Sequence, residues 1–276
     1  LINIMKKFAT IILNRNLPKV TDKLYNTIKK NNSTDIFVVE SGSKKNNLSK
    51  NMTWHANWPD AKKNGLRFTR GMNYALSNLY KENKLDKYDY FFLLANDAEI
   101  ITTKCLKKFE TIFNHHPRLG ILSACAKNWG ESILLKKNKT LYFWHMENHA
   151  VVLRKDFILD VMNTNNPGYL NFLYDGKNFR GYGAESELIA KAYSNFWGAA
   201  ITSKVRIDEN SSNLINKSNL IQTNPYDKNL KLYIKEGEKW MKEKYGFKNK
   251  WSMQMYVKNF YDKFFEYYPN YIGFKL

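Results

Sequence analysis

Two carboxylates in this sequence stand where a side chain could do chemistry. Asp97 follows the apolar run in "YDYFFLLANDAEI" (88–100), and Glu185 lies in "GYGAESEL" (181–188). A carboxylate at the end of a buried strand suits Mg²⁺ or Mn²⁺, because hard cations take oxygen ligands and often share substrate phosphates as ligands. A glutamate in a loop that opens a helix could serve as a general base. A metal site and a proton acceptor are therefore the first hypotheses.

Both carboxylates also have simpler explanations. Asp97 could cap a helix in "DAEIITTKCL", although Thr102 or Thr103 is better placed because it directly precedes the periodic apolar residues. Glu185 and Glu187 could interact favourably with the dipole of the helix that they begin. The glycines and aromatic residues around the two glutamates make a plain helix cap the weaker explanation.

Hydrophobic periodicity predicts the elements that position these residues. Apolar runs rich in β-branched residues predict buried strands, and apolar residues at helical spacing predict the helices between them. The predicted strands are 8–13, 35–40, 90–95 and 119–126, and the predicted helices are 21–31, 71–80 and 106–116. Strands that alternate with helices in this way indicate a parallel sheet with helices on both faces.

Polar residues follow three of these strands. In sheets of this kind, ligands bind at the carboxyl ends of the strands. We therefore expect Asn14-Arg15-Asn16, Glu40-Ser41-Gly42 and Asn96-Asp97 to lie in one place. Glu40 is either a solvated loop charge or an acceptor for a ribose hydroxyl or a base N–H, as acidic residues at this strand end often are.

The second half of the chain differs in character. A strand and a short helix are predicted over 149–159, a helix within 181–198 and a strand over 199–207. From about residue 224 the sequence is helical, basic and aromatic, so we predict a domain over 1–223 and a helical extension over 224–276. The extension either packs on the domain or on a second subunit, or it lies on an anionic membrane surface. Its aromatic residues, interleaved with lysines, are Trp240, Trp251, Phe260, Tyr261, Phe264, Phe265, Tyr267 and Tyr268.

Composition limits the classes of protein. The 276 residues are 43% hydrophobic, and no apolar run reaches the ~18–20 residues that a membrane span needs. The N-terminus is too short in its apolar part to predict a signal peptide. Cys105 and Cys125 are expected to be buried thiols, which suits a reducing cytoplasm. The net charge of +19 indicates either a generally basic surface or an anionic partner, such as nucleic acid, anionic lipid or a phosphorylated substrate.

The order of six segments resembles that of the inverting GT-A glycosyltransferases of family 2. The segments, within residues 8–213, are "ATIILNRN", "FVVESGS", "NGLRFTRGMNYAL", "YDYFFLLANDAEI", "NHAVVLRKDF" and "GYGAESEL". Members similar to the rhamnosyltransferases of bacterial surface polysaccharides come closest. The resemblance implies an α/β fold with a GT-A (Rossmann-like), mostly parallel central sheet flanked by helices. It also implies inverting transfer of a sugar from a nucleotide-diphosphate sugar to a hydroxyl of a glycan or lipid-linked acceptor.

The resemblance implies a donor site as well. Its nucleotide-binding residues would be Asn14, Arg15, Glu40, Asn64, Gly65, Arg70, Asn73 and Asn96. Asp97 would stand in the metal-binding DxD motif, whose first acidic position is occupied here by Ala95. Asp208 or Glu209 is the candidate for the missing oxygen ligand of Mn²⁺ or Mg²⁺, with a loop turn as the alternative.

For the acceptor side, the resemblance matches Glu185 to the catalytic base and Glu187 to the second acidic position of the motif. His145 and Glu147 lie in a region that resembles the acceptor-side strand. We therefore expect the acceptor to contact His145, Glu147, Tyr182 and Glu187. We also expect a cytoplasmic location, at the inner face of the membrane if the extension binds lipid, and a homo-oligomer if the extension packs on a second subunit.

Two other classes of protein fit the sequence less well. A nucleotidyltransferase would need a glycine-rich, basic loop after the first strand, and "NRNLPKVTDK" contains no glycine. A nucleic-acid-binding protein would fit the net charge, but no RNP-like, helix-turn-helix or zinc pattern supports it. We therefore expect no nucleic-acid partner.

Overall fold

The computed structural model describes residues 6–127, 131–135, 137–146, 150–210, 212, 216–217 and 219–276. Its strands are β1 (Phe8–Asn14), β2 (Asp35–Glu40), β3 (Met52–His55), β4 (Tyr90–Ala95), β5 (Ala98–Ile100), β6 (Leu119–Cys125), β7 (Thr140–Tyr142), β8 (Ala150–Arg154) and β9 (Gly198–Glu209). Its α-helices are α1 (Pro18–Asn31), α2 (Pro59–Asn64), α3 (Arg67–Lys81), α4 (Cys105–His115), α5 (Glu131–Leu134), α6 (Lys155–Val161), α7 (Ala184–Ser194), α8 (Tyr226–Tyr245) and α9 (Lys250–Tyr267).

Helix α1 begins at Pro18, earlier than the predicted start at Thr21 or Asp22. Proline suits the first position of a helix, because the backbone N–H that it lacks would have no partner there. The hydroxyl of Thr21 donates to the carbonyl of Leu17 at 3.1 Å, inside the first turn. Thr21 is therefore part of the helix rather than its cap.

The strands form a mixed sheet in the order β3-β2-β1-β4-β8-β6-β9-β5, with β7 paired to β9. The pairs of β1 with β2, β1 with β4, β2 with β3 and β6 with β9 are parallel. β8 is antiparallel to both β4 and β6 and separates them. The predicted α/β class is confirmed, and the antiparallel strand in the centre is a feature that periodicity did not reveal.

Strand β4 runs through the centre of the core, and Phe91 to Leu94 are fully buried. Helices α1 and α3 both pack against β1. The chain leaves β1, β2 and β4 at their carboxyl ends, which lie at one edge of the sheet because these strands are parallel. The polar residues that follow these strands are thereby placed at the same edge.

The C-terminal segment packs onto this core through α9, which contacts α7. Tyr261, Phe264 and Phe265 belong to the same buried hydrophobic cluster as the sheet. Trp251 and Tyr267 remain exposed, at 69% and 64%. Burial within the protein therefore accounts for several of the aromatic residues that the sequence interleaves with lysines.

Cys105 and Cys125 are both buried, as predicted. Burial raises the pKa of the Cys105 thiol to about 12, which keeps it protonated at neutral pH. None of the helices in the described ranges combines the length and the apolar character that crossing a bilayer requires.

Candidate active site

The polar ends of β1, β2 and β4 meet through hydrogen bonds. Asn14 Nδ2 donates to both carboxylate oxygens of Glu40, at 3.0 and 2.9 Å. Asn96 Nδ2 donates to Asn14 Oδ1 at 3.0 Å and to Thr21 Oγ1 at 3.2 Å. The structure thus brings the three predicted strand ends together.

Glu40 is enclosed by protein groups. Its side chain is completely buried, and besides Asn14 it accepts the backbone N–H of Ser49 at 2.7 Å. In this arrangement the carboxylate anchors the loop after β2. Contact between Glu40 and a nucleoside stays a prediction, and it requires this loop to move.

A pocket of about 180 Å³ lies at these strand ends. The predicted site residues in its lining are Asn14, Arg15, Asn64, Gly65, Asn96 and Asp97. Arg67, Phe68 and the segment 221–223 also line it. Sites for small molecules usually measure ~300–1,000 Å³, so a nucleotide would enter only after part of this lining moves.

The guanidinium of Arg15 cross-links the segments around the pocket. Its Nη1 and Nη2 donate to the carbonyls of Ala61–Lys63, the end of α2, at 2.9 to 3.2 Å. Nη1 also donates to the Ser41 carbonyl at 2.6 Å, and Nε donates to the Ile221 carbonyl at 2.7 Å. Gly65 is required here because a Cβ would lie 2.8 Å from Nη1 and because its φ is +73°. Arg15 therefore acts as a scaffold for the pocket.

We expect Arg15→Lys to lower the free energy of unfolding by about 2–4 kcal/mol, because an ammonium cannot replace a planar fork of bonds to carbonyls. Urea unfolding monitored by circular dichroism measures the change. Arg206→Lys is the matched control: Arg206 is exposed on β9, and its replacement should change stability by less than about 0.5 kcal/mol. Equal stability of Arg15→Lys and the wild type would contradict the scaffold role.

Asp97 does not cap a helix, because the chain turns directly into β5, which pairs with β9. Its Oδ1 atom is buried and has no hydrogen-bond partner among the residues that the structure describes. Burial, together with the nearby carboxylate of Glu209, raises the pKa of Asp97 to about 7. A buried carboxylate oxygen without a partner is costly, and a hard cation bound beside it would remove that cost.

Of the two candidates for the second oxygen ligand, the geometry favours Glu209. Asp208, the predicted ligand, is engaged elsewhere, since its Oδ1 accepts the backbone N–H of Lys127 at 2.7 Å. In the described ranges, no group of three or more His, Cys, Asp and Glu side chains is arranged to hold a metal ion. Asp97 and Glu209 fit a divalent cation only if substrate phosphates and water complete its shell, which is how Mg²⁺ is usually bound.

Arg70 and Asn73 do not line the pocket. Arg70 Nε donates to the Gly176 carbonyl at 2.6 Å, and Asn73 Nδ2 donates to the Tyr174 carbonyl at 2.8 Å. Asn73 Oδ1 accepts two backbone N–H groups of the same loop, both at 2.9 Å. Helix α3 starts at the pocket and places Asn73 about 9 Å further along its axis than Arg67. In this structure both residues position the loop that leads to α7, and their contact with a nucleotide stays a prediction.

Arg67 lines the pocket, although it is not among the site residues predicted from the sequence. Its Nη2 donates to Thr223 Oγ1 at 2.8 Å, while its buried Nε has no hydrogen-bond partner within the described ranges. Burial and the guanidiniums of Arg180 and Arg15 lower the pKa of Arg67 to about 10. The signal in the sequence was its position two residues after Gly65, a predicted site residue.

Glu185 lies in the first turn of α7, is 5% exposed and pairs with Lys250 Nζ at 2.5 Å. His145 Nδ1 is hydrogen-bonded to Gln254 Nε2 at 2.8 Å. Lys250 and Gln254 are one turn apart on α9. Helix α9 thus holds the predicted base and one predicted acceptor residue, and it covers both in this structure.

The other predicted acceptor residues lie in helix packing. Glu187 is 2% exposed, and its Oε1 accepts from Lys244 Nζ at 2.7 Å and from the hydroxyl of Tyr245 at 2.5 Å. The ring of Tyr182 packs against α8 and α9. These contacts join α7 to the C-terminal helices. Glu147 lies outside the described residues.

A second cavity, of about 550 Å³, also borders Asp97. Lys19 and Lys23 of α1 line it, together with residues 96–101. Both lysines are exposed. Asp97 therefore lines both this cavity and the pocket at the strand ends.

Neither a protein-family profile nor a curated protein sequence matches this chain. Among solved structures, it is similar to GalNAc-T7 crystallised with UDP, GalNAc and Mn²⁺, at 9% identity and a TM-score of 0.53, over 75% of this chain and 44% of that one. It is also similar to the mannosyltransferase PcManGT from Pyrobaculum calidifontis, at 10% identity and a TM-score of 0.47, over 75% and 57% of the two chains. Glucosyl-3-phosphoglycerate synthase from Mycobacterium tuberculosis gives 8% identity and a TM-score of 0.48, over 86% and 79%.

The similarity to GalNAc-T7 and the mixed sheet flanked by helices define the GT-A glycosyltransferase fold, as predicted. The chain spans less than half the length of GalNAc-T7. At this level of identity the similarity shows the fold alone, and the activity is a proposal.

Proposed function

We propose that this protein transfers a sugar from a nucleotide-diphosphate sugar to a hydroxyl of a glycan or lipid-linked acceptor, with inversion. We place it among the rhamnosyltransferase-like enzymes of family 2, in bacterial surface polysaccharide synthesis. The observation that carries the proposal is the pocket at the ends of β1 and β4, which is lined by Asp97. The Oδ1 atom of Asp97 is buried and has no hydrogen-bond partner in the described segments. GalNAc-T7 was crystallised with UDP, GalNAc and Mn²⁺, and we extend that class of ligand to this pocket.

Asp97 and Glu209 are the residues that would hold Mg²⁺ or Mn²⁺, with phosphate oxygens and water as further ligands. When bound, such an ion neutralises the negative charge that builds on the diphosphate as it leaves. The net charge of +19 also favours the approach of an anionic donor.

In the proposed reaction, the acceptor oxygen attacks the anomeric carbon while the bond from that carbon to the diphosphate oxygen breaks. Glu185 takes the proton of the acceptor hydroxyl. A single displacement needs one base and no covalent nucleophile, and it inverts the anomeric carbon. Lys250 holds the Glu185 carboxylate in the described structure, so the acceptor hydroxyl must replace the ammonium group beside it.

A thermal-shift screen of UDP, GDP and dTDP, each with Mn²⁺, tests the proposal. At about 100 times the dissociation constant, the matching nucleotide should raise the Tm by about 5 °C. Asp97→Ala should reduce this shift at the same nucleotide concentration. If no nucleoside diphosphate stabilises the wild type, the proposed function fails.

We further propose a cytoplasmic location, where a lipid-linked acceptor would be presented at the inner face of the membrane. Trp251, Met255 and Tyr256 support this idea, because they are exposed one turn apart on α9 among basic residues. Packing of a second subunit is the alternative use of this surface. Flotation with anionic liposomes, compared between the wild type and Trp251→Ser, distinguishes membrane binding by this surface from packing of a second subunit.

A further inference from the structure

Arg67 is an unusual residue in its own setting. Its backbone φ is +56°, a conformation that residues other than glycine adopt rarely and at a cost. Its side chain lines the pocket, and its buried Nε has no hydrogen-bond partner in the part of the chain that the structure describes. A buried guanidinium N–H without an acceptor is also costly. A positive φ and a buried N–H without an acceptor therefore both raise the free energy of this pocket residue, and a bound ligand could offset that cost.

Positive charge accumulates around this side chain. Arg180 and Arg15 both lie close enough to act on Arg67 electrostatically, and among the described residues the carboxylate of Glu236 opposes their effect. Glu236 forms an ion pair with Arg180. Arg15 donates to carbonyls, which are neutral. The cluster of three guanidiniums therefore carries an excess of positive charge that the described protein groups do not balance.

The acceptors that Arg67 does have are weak substitutes for an anion. Its Nη2 donates to the neutral oxygens of Thr223, at 2.8 Å, and of Asn229, at 3.1 Å. Thr223 itself lines the pocket. A ligand that enters by displacing Thr223 would present its own acceptor to Nη2.

We propose that Arg67 binds the diphosphate of the donor, with Arg15 and Arg180 adding positive charge around it. This inference rests on the proposed function. A guanidinium suits the role because its planar fork matches the oxygens of a phosphate. The charge on the diphosphate increases as the sugar leaves, so Arg67 would stabilise the transition state more than the ground state.

The test uses inorganic pyrophosphate as the probe, in the presence of EDTA, with binding measured by calorimetry. Arg67→Met should raise the Kd for pyrophosphate about 10- to 100-fold relative to the wild type, because a bond to a charged partner is lost. Arg67→Lys should restore part of the affinity, because the charge returns without the fork. Arg206→Met, in an exposed arginine outside the pocket, should leave the Kd unchanged.

Asn229→Ala separates ligand binding from scaffolding, because Asn229 accepts hydrogen bonds from both Arg67 and Arg180 but does not line the pocket. It should change the Kd less than threefold. Equal Kd values for the wild type and Arg67→Met would overturn the inference, and so would equal losses in Arg67→Met and Asn229→Ala. Pyrophosphate binding that depends on Arg67 would support the anion site even if the nucleotide screen found no ligand, so the two failures are distinguishable.

Discussion

Glu185→Gln is expected to lower kcat for glycosyl transfer about 10²- to 10⁴-fold, the usual contribution of a general base. Glutamine has nearly the same shape but cannot take the acceptor proton at neutral pH. Nucleotide binding should persist, because Glu185 is not among the residues that line the pocket at the strand ends. Release of the nucleoside diphosphate from the donor sugar, measured with and without acceptor, gives the rate.

Glu185→Gln also leaves the ammonium of Lys250 without its carboxylate partner in a buried setting, so we expect it to cost about 3 kcal/mol of stability. Glu187→Gln is the matched control, since Glu187 lies in the same turn of α7 as Glu185 and is also buried. Its carboxylate pairs with Lys244 of α8. Both variants should lose similar stability, but Glu187→Gln should lose far less turnover. Retained turnover in folded Glu185→Gln would remove Glu185 as the base.

Asp97→Asn is expected to stabilise the protein at pH 8 when metal and nucleotide are absent. The pKa of Asp97 is raised from 3.8 to about 7, so the native state keeps a proton that the unfolded chain releases between these values. The stability of the wild type should therefore fall as the pH rises through this range, by up to about 4 kcal/mol, and then level off above pH 7. The variant has no carboxyl group to ionise and should not show this loss.

Urea unfolding in EDTA, repeated from pH 4 to pH 8, measures the difference in the free energy of unfolding between the variant and the wild type. Asp97→Ser serves as a second variant without a carboxyl group, and its difference from the wild type should grow with pH in the same way. Parallel curves for wild type and Asp97→Asn across this range would show that Asp97 is not held protonated. The same substitution should weaken binding of Mn²⁺ together with nucleotide, so stability and function would change in opposite directions.

The position of the candidate site could be predicted because it depends on local pattern and one topological rule. Apolar runs located β1, β2 and β4, and parallel strands bring their carboxyl ends to one edge of the sheet. The contacts of Asn14 with Glu40 and Asn96 follow from that rule. The position of Asp97 near the end of β4 was also foreseeable, because the apolar run of this strand ends just before Asn96 and Asp97.

The identity of the arginine in the pocket could not be predicted in the same way. Arg67 and Arg70 lie on one helix, and the sequence does not indicate which turn of that helix lies at the edge of the sheet. The structure starts α3 at Arg67, so Arg67 lines the pocket and Arg70 reaches the Gly176 carbonyl instead. The choice between Asp208 and Glu209 likewise depended on how β9 pairs with β5, since successive residues of a strand point to opposite faces.

By itself, the sequence determined the α/β class, the main strands and helices, and the strand ends at which a ligand would bind. These properties follow from hydrophobic periodicity and from polar residues that interrupt it, both of which are local. Only the tertiary structure decided that antiparallel β8 lies between β4 and β6, and that α9 covers Glu185 through Lys250. Such contacts join segments that are far apart in the chain, and they are selected by packing and charge pairing over the whole fold, which no local pattern records.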